Sequence, residues 1–399
     1  MVNVPAARWP EGLLTLVVGQ ALEAVVDVLK NHPLTQGQFV NSFEESIANF
    51  VGAKYAVAMS SWTAGLHMAC LAAGVKEDDL VATSPITFVA SSNSALYCQA
   101  KPVFTDINEQ TINMCPNELD KTLRESKRVK VIMPVHFAGL PCDMQSIKEI
   151  ADRNGSLIIE DAAHALGAKY SCGSMVGSCK YSDMTGFSFH PVKSIAAGEG
   201  GMITTNSEEI YKKLLRLRSH GINKSNDELV LSDDAYTDGV INPWYMEMQE
   251  LGYNYRITDI QCALGISQLK KLPKFIEKRI ELAERYDSAF KDSNLIRPIQ
   301  MNARNQSSHH LYVVKVDFQN TKINRAQLMH ELLNKGIATQ VHYIPVTSHP
   351  YYSNKGYVTN NYPKASEYYN QALSIPLYYS LTLSEQDYVI ETIQSLIHK

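Results

Sequence analysis

The sequence lacks the features that mark secreted, disulfide-stabilised or membrane-spanning chains. Its seven cysteines form no C-x-x-C pair, and an odd number does not suggest a disulfide framework. No apolar run reaches spanning length, and no basic segment with an apolar core marks a secretory signal. We therefore expect free thiols, a cytoplasmic location and no membrane partner.

The sequence also lacks an excess of positive charge and a dinucleotide-binding motif. Lysine and arginine number 37 against 41 acidic residues, a net charge of −4, so there is no overall basic field for nucleic acid. No G-x-G-x-x-G follows the first predicted strand, which argues against a Rossmann dehydrogenase. Hydrophobic residues make up 45% of the 399 positions, as is ordinary for an enzyme-sized folded chain.

What the sequence does contain is the alternation of strands and helices of an α/β domain up to about residue 262. Residues 12–29 predict an amphipathic helix, because polar residues interrupt the apolar run at helical spacing. The last two of the predicted strands are joined only by a short loop, so we expect them to be antiparallel or distant in the sheet. The predicted strands are "YAVAMS" at 55, "LVATSP" at 80, "KPVFTD" at 101, "VKVIMPVH" at 129, "SLIIED" at 156, "MTGFSF" at 184 and "GMITTN" at 201.

Beyond residue 262 the pattern changes to that of a smaller α+β domain. It predicts one long helix over 267–292, a strand in "HLYVVKVDF", a helix from Arg325, the run "IATQVHY" and a final helix from Ser384. The polar segment 223–250 has no clear period and predicts a long surface excursion. We expect a large domain at 1–262, with an N-terminal helix, and a small domain at 263–399.

Polar residues of types suited to catalysis or ligand binding follow the predicted strands. Thr63 lies at a helix start that either is simply capped or binds phosphate. Asp161 either caps a helix or holds a cationic ring nitrogen, and His164 is either a structural histidine or a catalyst. Lys193, between Pro191 and three glycines, is either an exposed loop lysine or an amine that forms a Schiff base. An anion site, a carboxylate and a lysine, in this order, fit the three groups by which proteins hold pyridoxal phosphate.

Several stretches resemble the DegT-type (DegT/DnrJ/StrS) sugar aminotransferases over nearly the full length. They include "SSWTAGLH", "EDAAHALG", "FSFHPVKSIAAGEGG" and "GYNYRITDIQCALG". The resemblance implies a fold-type I pyridoxal phosphate enzyme, with a large mixed seven-stranded sheet domain and a smaller α+β C-terminal domain. "FSFHPVK" and "LRSHGI" look closest to the pseudaminic acid branch of the family. That branch implies transfer of the amino group of L-glutamate to C4 of a UDP-linked 4-keto-6-deoxy-N-acetylhexosamine, giving UDP-4-amino-4,6-dideoxy-N-acetyl-β-L-altrosamine.

The resemblance implies roles around the cofactor ring for four residues. Lys193 would form the Schiff base and carry protons during the reaction. Asp161 would face the ring nitrogen and keep it protonated, and His164 would lie near the ring oxygen or the ring face. Phe88, in "SPITFVAS", matches the aromatic side chain that stacks on the ring, although the residues alone would predict a core position.

The resemblance places the cofactor phosphate at "SSWTAGLH". The backbone of Trp62 and Thr63, the Thr63 hydroxyl and Ser188 would contact it. Asn254 of a neighbouring subunit would complete the site, which implies a homodimer with shared active sites. Trp62 departs from the family pattern, in which Gly or Ala is usual, so its indole would either crowd the cofactor entrance or line the sugar pocket.

Other functions and roles remain open at this point. Arg256 and His342 are candidates for substrate contact, with structural roles equally open. The alternatives are an aminotransferase for another nucleotide-linked keto sugar, a dehydratase of the same fold, or a non-catalytic regulatory protein. Lys193 argues against the dehydratases that use histidine, and the scattered cysteines argue against an iron–sulfur cluster. No metal site is predicted.

Overall fold

A seven-stranded sheet forms the centre of the protein in a computed structural model that describes residues 19–126, 128–224 and 229–398. All seven predicted strands are present, and the predicted α/β fold class is confirmed. The strand order is β1-β7-β6-β5-β4-β2-β3. The strands are β1 (Tyr55–Met59), β2 (Leu80–Thr83), β3 (Lys101–Phe104), β4 (Val129–Met133), β5 (Leu157–Asp161), β6 (Met184–Ser188) and β7 (Gly201–Thr205).

One strand of this sheet runs against the others. Neighbouring strands in the row β3-β2-β4-β5-β6 pair in parallel. By contrast, β7 is antiparallel to both β6 and β1, as the short connection before β7 predicted. The carboxyl ends of the other six strands therefore meet at one edge, where the loop 189–200 also lies. Ligands of open α/β sheets gather at this edge.

Helices cover both faces of the sheet and bury its apolar side chains. On one face, Phe43, Leu119 and Ile147 belong to one core cluster, and on the other Leu66 and Leu214 belong to a second. The described residues begin at Gly19, just before the first helix, so the part of the predicted N-terminal helix over 12–18 lies outside them. The helices of this part are α1 (Gln20–Asn31), α2 (Gln38–Val51), α3 (Trp62–Ala72), α4 (Ala90–Tyr97), α5 (Pro116–Glu125), α6 (Met144–Asn154) and α7 (Glu208–Arg218).

The segment predicted as a surface excursion has very little regular structure and exposes apolar side chains. Trp244 is 75% exposed, Val230 74% and Val240 68%. Two antiparallel pairs of short strands, β8 with β11 and β9 with β10, hold its described part. Its elements are β8 (Ile222–Asn223), α8 (Ser232–Ala235), β9 (Tyr236–Thr237), β10 (Val240–Ile241) and β11 (Glu247–Met248).

The single long helix predicted over 267–292 is wrong, since the chain forms α9 (Asp259–Leu269) and α10 (Leu272–Phe290) there. Pro273 in the first turn of α10 has no N–H, and its ring clashes with the carbonyl four residues earlier, so the first helix cannot continue. The predicted domain boundary after residue 262 falls inside α9. The division into two domains stays a prediction.

A three-stranded antiparallel sheet, in the order β12-β13-β14, organises the C-terminal part. The predicted "HLYVVKVDF" strand is confirmed as β13, whereas "IATQVHY" contributes only a bridge from Gln340 to Ser374. No helix within the described ranges is both long and apolar enough to cross a membrane. The elements are β12 (Ile296–Pro298), β13 (Tyr312–Val316), α11 (Arg325–Asn334), α12 (Pro350–Ser353), α13 (Pro363–Gln371), β14 (Ala372–Ile375) and α14 (Leu383–Ile397).

Candidate active site

A cavity of about 440 Å³ opens at the carboxyl edge of the seven-stranded sheet, and we call it the lysine cavity. Most residues proposed from the sequence for cofactor contact line it, although they come from separate strand ends. Asn254, Arg256 and His342 do not line it. Its predicted lining residues are Trp62, Thr63, Phe88, Asp161, His164, Ser188 and Lys193.

The start of α3 forms one wall of the lysine cavity. Ser61 caps this helix by accepting a hydrogen bond from the Ala64 N–H at 3.1 Å. A Cβ on Gly201 would lie 2.7 Å from the Ser61 carbonyl and from the Trp62 nitrogen, so only glycine lets β7 approach the helix start this closely. The first N–H groups of a helix carry partial positive charge, and Thr63 adds an exposed hydroxyl beside them. This wall has the chemistry of an anion site.

The carboxylate of Asp161, at the end of β5, is buried and accepts three hydrogen bonds. Trp62 Nε1 donates to Oδ1 at 2.8 Å, as does the Ala163 backbone N–H at 3.2 Å. Ser91 Oγ donates to Oδ2 at 2.6 Å. The sequence alone left open whether the Trp62 indole crowds the entrance or lines the sugar pocket. The structure puts the buried indole beside Asp161.

Lys193 lies in the loop between the two antiparallel strands β6 and β7. Burial lowers the pKa of its amine to about 8, and the negative charge of Asp161 opposes that shift. The amine therefore releases its proton more readily than an exposed lysine. A neutral lysine amine is a nucleophile and a base.

Lys193 also lines a second cavity, of about 530 Å³, which we call the C-terminal cavity. His342 is one of its lining residues, and His342 Nδ1 lies 2.8 Å from Ser374 Oγ. Burial, together with the nearby Lys193, lowers the pKa of His342 to about 4, so this imidazole is neutral at physiological pH. The lysine is thus accessible from two sides.

His164 is held in place by residues from the C-terminal part of the chain. Its Nε2 lies 3.1 Å from the Tyr343 hydroxyl, and its ring centroid lies 4.4 Å from that of His310. Burial, with contributions from Lys193 and His342, lowers the pKa of His164 well below its ordinary value. Its ring is therefore neutral and suited to hydrogen bonding rather than to carrying charge.

Two predicted residues lie away from both of these cavities. Asn254 forms an antiparallel bridge with Ser219, and Arg256 lines a third cavity, of about 1010 Å³, with Arg218 and Lys224. Within one chain they therefore do not join Lys193. The family resemblance assigns Asn254 to the site of a neighbouring subunit, and that assignment stays a prediction.

Sequence reasoning missed three side chains of this site, namely Ser91, Tyr343 and His310. Ser91 lies in the first turn of α4, where a serine reads as an ordinary helix residue. Tyr343 lies in the predicted run "IATQVHY", and His310 just before β13, both far along the chain from Asp161. The double histidine "HH" at 309–310 was the only local signal in the sequence.

The residue before Asp161 lies in a different environment. Glu160 is fully buried and accepts hydrogen bonds from Tyr170 at 2.8 Å, Thr185 at 2.9 Å and His136 Nε2 at 2.6 Å. The Cys142 backbone N–H donates to His136 Nδ1, so the proton of this imidazole is on Nε2, facing Glu160. Every group in this network has a partner, which is the arrangement that makes a buried carboxylate tolerable.

The residues of the lysine cavity fit pyridoxal phosphate. The helix start of α3 suits its phosphate, Asp161 suits its ring nitrogen, and Lys193 suits its aldehyde. Phe88 is 61% exposed and lines the cavity, so its ring has a free face for stacking. A volume of about 440 Å³ is within the usual range for a cofactor of this size.

Comparisons with known proteins agree with this chemistry. The model of the DegT/DnrJ/EryC1/StrS aminotransferase family matches residues 17–394. The UDP-4-amino-4,6-dideoxy-N-acetyl-beta-L-altrosamine transaminase of Campylobacter jejuni serotype O:2 is 37% identical over 379 residues, 95% of each chain.

Two solved structures share the fold over almost the whole chain. Helicobacter pylori PseC, an aminotransferase involved in the biosynthesis of pseudoaminic acid, has a TM-score of 0.84 at 29% identity, covering 95% of this chain and 96% of that one. The PLP-form of the putative sugar aminotransferase Spr1654 from Streptococcus pneumoniae has a TM-score of 0.83 at 30% identity, covering 97% and 96%.

Proposed function

The chain belongs to the DegT/DnrJ/EryC1/StrS aminotransferase family and is a pyridoxal phosphate-dependent sugar aminotransferase, and from this premise we propose its two substrates. The amino donor is L-glutamate, and the acceptor is C4 of a UDP-linked 4-keto-6-deoxy-N-acetylhexosamine. The product is UDP-4-amino-4,6-dideoxy-N-acetyl-β-L-altrosamine, for pseudaminic acid biosynthesis. The names of the Campylobacter relative and of PseC support this choice over another nucleotide-linked keto sugar.

One observation carries the proposed chemistry. The side chain of Lys193 shares the lysine cavity with Asp161 and with the helix start at Thr63, although the three are far apart in the sequence. An amine with a lowered pKa, a fixed carboxylate and an anion site within one pocket are what a transamination site requires. This combination favours an aminotransferase over the dehydratase alternative.

The cofactor-binding residues act through distinct contacts. The helix start, the Thr63 hydroxyl and Ser188 would hold the phosphate. Asp161 would keep the ring nitrogen protonated, and Phe88 would stack on the ring. When bound, pyridoxal phosphate supplies an electron sink for the charge that develops on the carbon losing its proton.

Lys193 is the proton-transfer group of both half-reactions, as a base toward L-glutamate and as an acid toward the sugar. Its Nζ removes the proton from Cα of L-glutamate, and in the second half-reaction it delivers a proton to C4 of the sugar. A pKa of about 8 leaves a usable neutral fraction near neutral pH. His342 lines the C-terminal cavity on the other side of this amine, where it would contact the incoming substrate.

Two of the remaining predicted residues, Asn254 and Arg256, would act across a homodimer. Asn254 would reach the phosphate end of the neighbouring subunit's lysine cavity, and Arg256 would contact the substrate there. His164, neutral and hydrogen-bonded to Tyr343, would orient the ring oxygen from within the same chain.

The proposal is tested in two stages on purified protein. First, the visible absorbance band of the protein with pyridoxal phosphate is recorded before and after L-glutamate. A separate sample without glutamate is reduced with borohydride and its peptides are mapped. We expect the band to collapse with glutamate and the reduced adduct to lie on Lys193. A protein that stays colourless with added pyridoxal phosphate, and gives no adduct, would contradict the proposed chemistry.

The second stage identifies the sugar. The glutamate-treated protein is mixed with the UDP-linked 4-keto-6-deoxy-N-acetylhexosamine and, as matched controls, with dTDP- and GDP-linked 4-keto-6-deoxyhexoses. We expect the band to return only with the UDP-linked compound, with the 4-amino product identified by mass spectrometry and NMR. Return of the band with a control alone would overturn the substrate assignment and leave the donor half-reaction intact.

A further inference from the structure

Trp62 makes a contact with Asp161 that a glycine or alanine at the same position cannot make. Its Nε1–H donates to Asp161 Oδ1 at 2.8 Å, and the two side chains are 6% and 5% exposed. An indole nitrogen is only a donor, so the direction of this hydrogen bond is fixed. The contact is therefore specific to a carboxylate or carbonyl acceptor.

Two glycines make room for this indole. Gly186, on β6, is the register partner of Asp161 on the neighbouring strand β5. A Cβ at Gly186 would lie 1.6 Å from the Trp62 ring, and one at Gly65 would lie 2.5 Å from it. The indole thus occupies a slot on the sheet surface that any larger residue at these two positions would fill. Such close packing restricts Trp62 to one rotamer.

The other donors to Asp161 complete this arrangement. Ser91 Oγ donates to Oδ2 at 2.6 Å, while the Ala163 N–H shares Oδ1 with the indole at 3.2 Å. A carboxylate has about four acceptor sites, so these three donors fix its plane and leave one further lone pair. Asp161 lines the lysine cavity, where that acceptor site is available to a ligand.

We infer that Trp62 is a positioning residue that holds the Asp161 carboxylate in the orientation that meets the ring nitrogen of the cofactor. The inference rests on the role of Asp161 proposed above. It gives the Trp62 side chain a task separate from that of its backbone, which was assigned to the phosphate. The role is local to the carboxylate and needs no contact between the indole and the sugar.

The test measures cofactor affinity in a double-mutant cycle. The ligand is pyridoxamine phosphate, which binds without a covalent bond to Lys193, and its Kd is measured by calorimetry on the whole apo protein. Trp62→Phe keeps most of the ring volume and removes the N–H. We expect affinity to fall by about 10- to 100-fold, the usual effect of a hydrogen bond to a charged group. In the Asp161→Ala background, which has no side-chain acceptor for the indole, the same substitution should change Kd by less than about twofold.

Different results would overturn different statements. If Trp62→Phe binds as tightly as the parent, or loses equal affinity in both backgrounds, then Trp62 does not act through Asp161 and the inference is wrong. If Asp161→Ala alone binds with unchanged affinity, the role proposed for Asp161 is wrong. Should circular dichroism show that Trp62→Phe is unfolded, the Kd comparison is made with 3-benzothienylalanine at position 62. That residue keeps the bicyclic shape and has sulfur in place of N–H, so the same expected and overturning outcomes apply.

Discussion

The reactivity of Lys193 depends on how far burial lowers the pKa of its amine. An exposed lysine is almost fully protonated at neutral pH, whereas the pKa of about 8 for Lys193 leaves a larger neutral fraction. Burial disfavours the ammonium form, and the Asp161 carboxylate limits the shift by favouring it. Asp161 therefore limits how far burial lowers the pKa of Lys193.

We predict that capture of pyridoxal phosphate by the apo protein speeds up with pH and levels off above about pH 8. Below that value each pH unit should slow capture about tenfold, because only the neutral amine attacks the aldehyde. Stopped-flow absorbance across a pH series measures this rate. Lys193→Arg is the control and should show no capture at any pH. A rate that keeps rising to about pH 10, as for an exposed lysine, would contradict the lowered pKa.

Among the residues of the site, those that directly follow strands were predictable from the sequence. Those brought in by elements distant in the chain were not. Lys193 and Asp161 stood out because polar residues at the ends of apolar strands point to the ligand edge of a sheet. Ser91 and Tyr343 carried no such signal, because their contacts with Asp161 and His164 exist only after distant elements pack together. Trp62 was noticed only as an unusual residue, and its partner was not predictable from spacing.

The element that positions the anion site is α3, and its placement depends on a glycine in β7. Gly201 pairs with Met59 of β1 and faces the Ser61 carbonyl at the helix start. The approach is tight because nothing but a hydrogen projects from this strand position. The geometry of the proposed phosphate site therefore depends on the sheet as much as on the helix itself.

We predict that Gly201→Ala weakens binding of pyridoxamine phosphate by about 10-fold or more, because the new Cβ pushes the first turn of α3 off its place. Calorimetric titration measures the change in Kd. Gly74→Ala is the control, since Gly74 follows the far end of α3 and a Cβ there meets only the Lys130 side chain at 3.9 Å. The control should lower thermal stability, because its φ is +71°, and leave Kd unchanged. Equal loss of affinity in both variants would argue against a local effect at the helix start.

Elements were predictable from sequence where pattern and local chemistry agree. The seven strands were found because β-branched runs end in turn residues. The prediction of one long helix over 267–292 was wrong because the apolar period continues through Pro273, whereas a regular helical backbone cannot. "IATQVHY" has strand composition, but its residues pair at a single bridge, since tertiary packing decides which extended segments join a sheet.

At the scale of the whole molecule, the segment 229–251 exposes several large apolar side chains. Trp244, Val240 and Leu251 are each more than two-thirds exposed, in a segment with only two-residue strands. Exposed apolar side chains become buried when subunits associate, and the proposed homodimer would supply a partner for them. The homodimer was predicted from family resemblance, because composition and periodicity contain no information on subunit number.

We predict that two impaired variants restore activity when they form mixed dimers. Lys193→Ala should abolish turnover, and Asn254→Ala should weaken the partner's phosphate site. In a mixed dimer one site keeps both residues, so random exchange should restore about a quarter of the wild-type sites. Activity after co-expression or subunit exchange measures this recovery.

The control for this complementation is a pair of variants that affect the same cavity of one chain. Lys193→Ala mixed with Asp161→Asn leaves no intact site in any dimer and should remain inactive. Recovery in both mixtures, or in neither, would contradict the assignment of Asn254 to the partner subunit. Sedimentation velocity on each mixture verifies that dimers are present.

The two adjacent carboxylates of β5 also set the register of that strand. Glu160 faces a closed set of donors on one side of the sheet, and Asp161 faces the lysine cavity on the other. Because side chains alternate along a strand, a slip of one position would put Asp161 among the internal donors and turn its neighbour toward the cofactor. The buried hydrogen-bond network of Glu160 therefore fixes the register of β5. In that register the Asp161 side chain faces the lysine cavity.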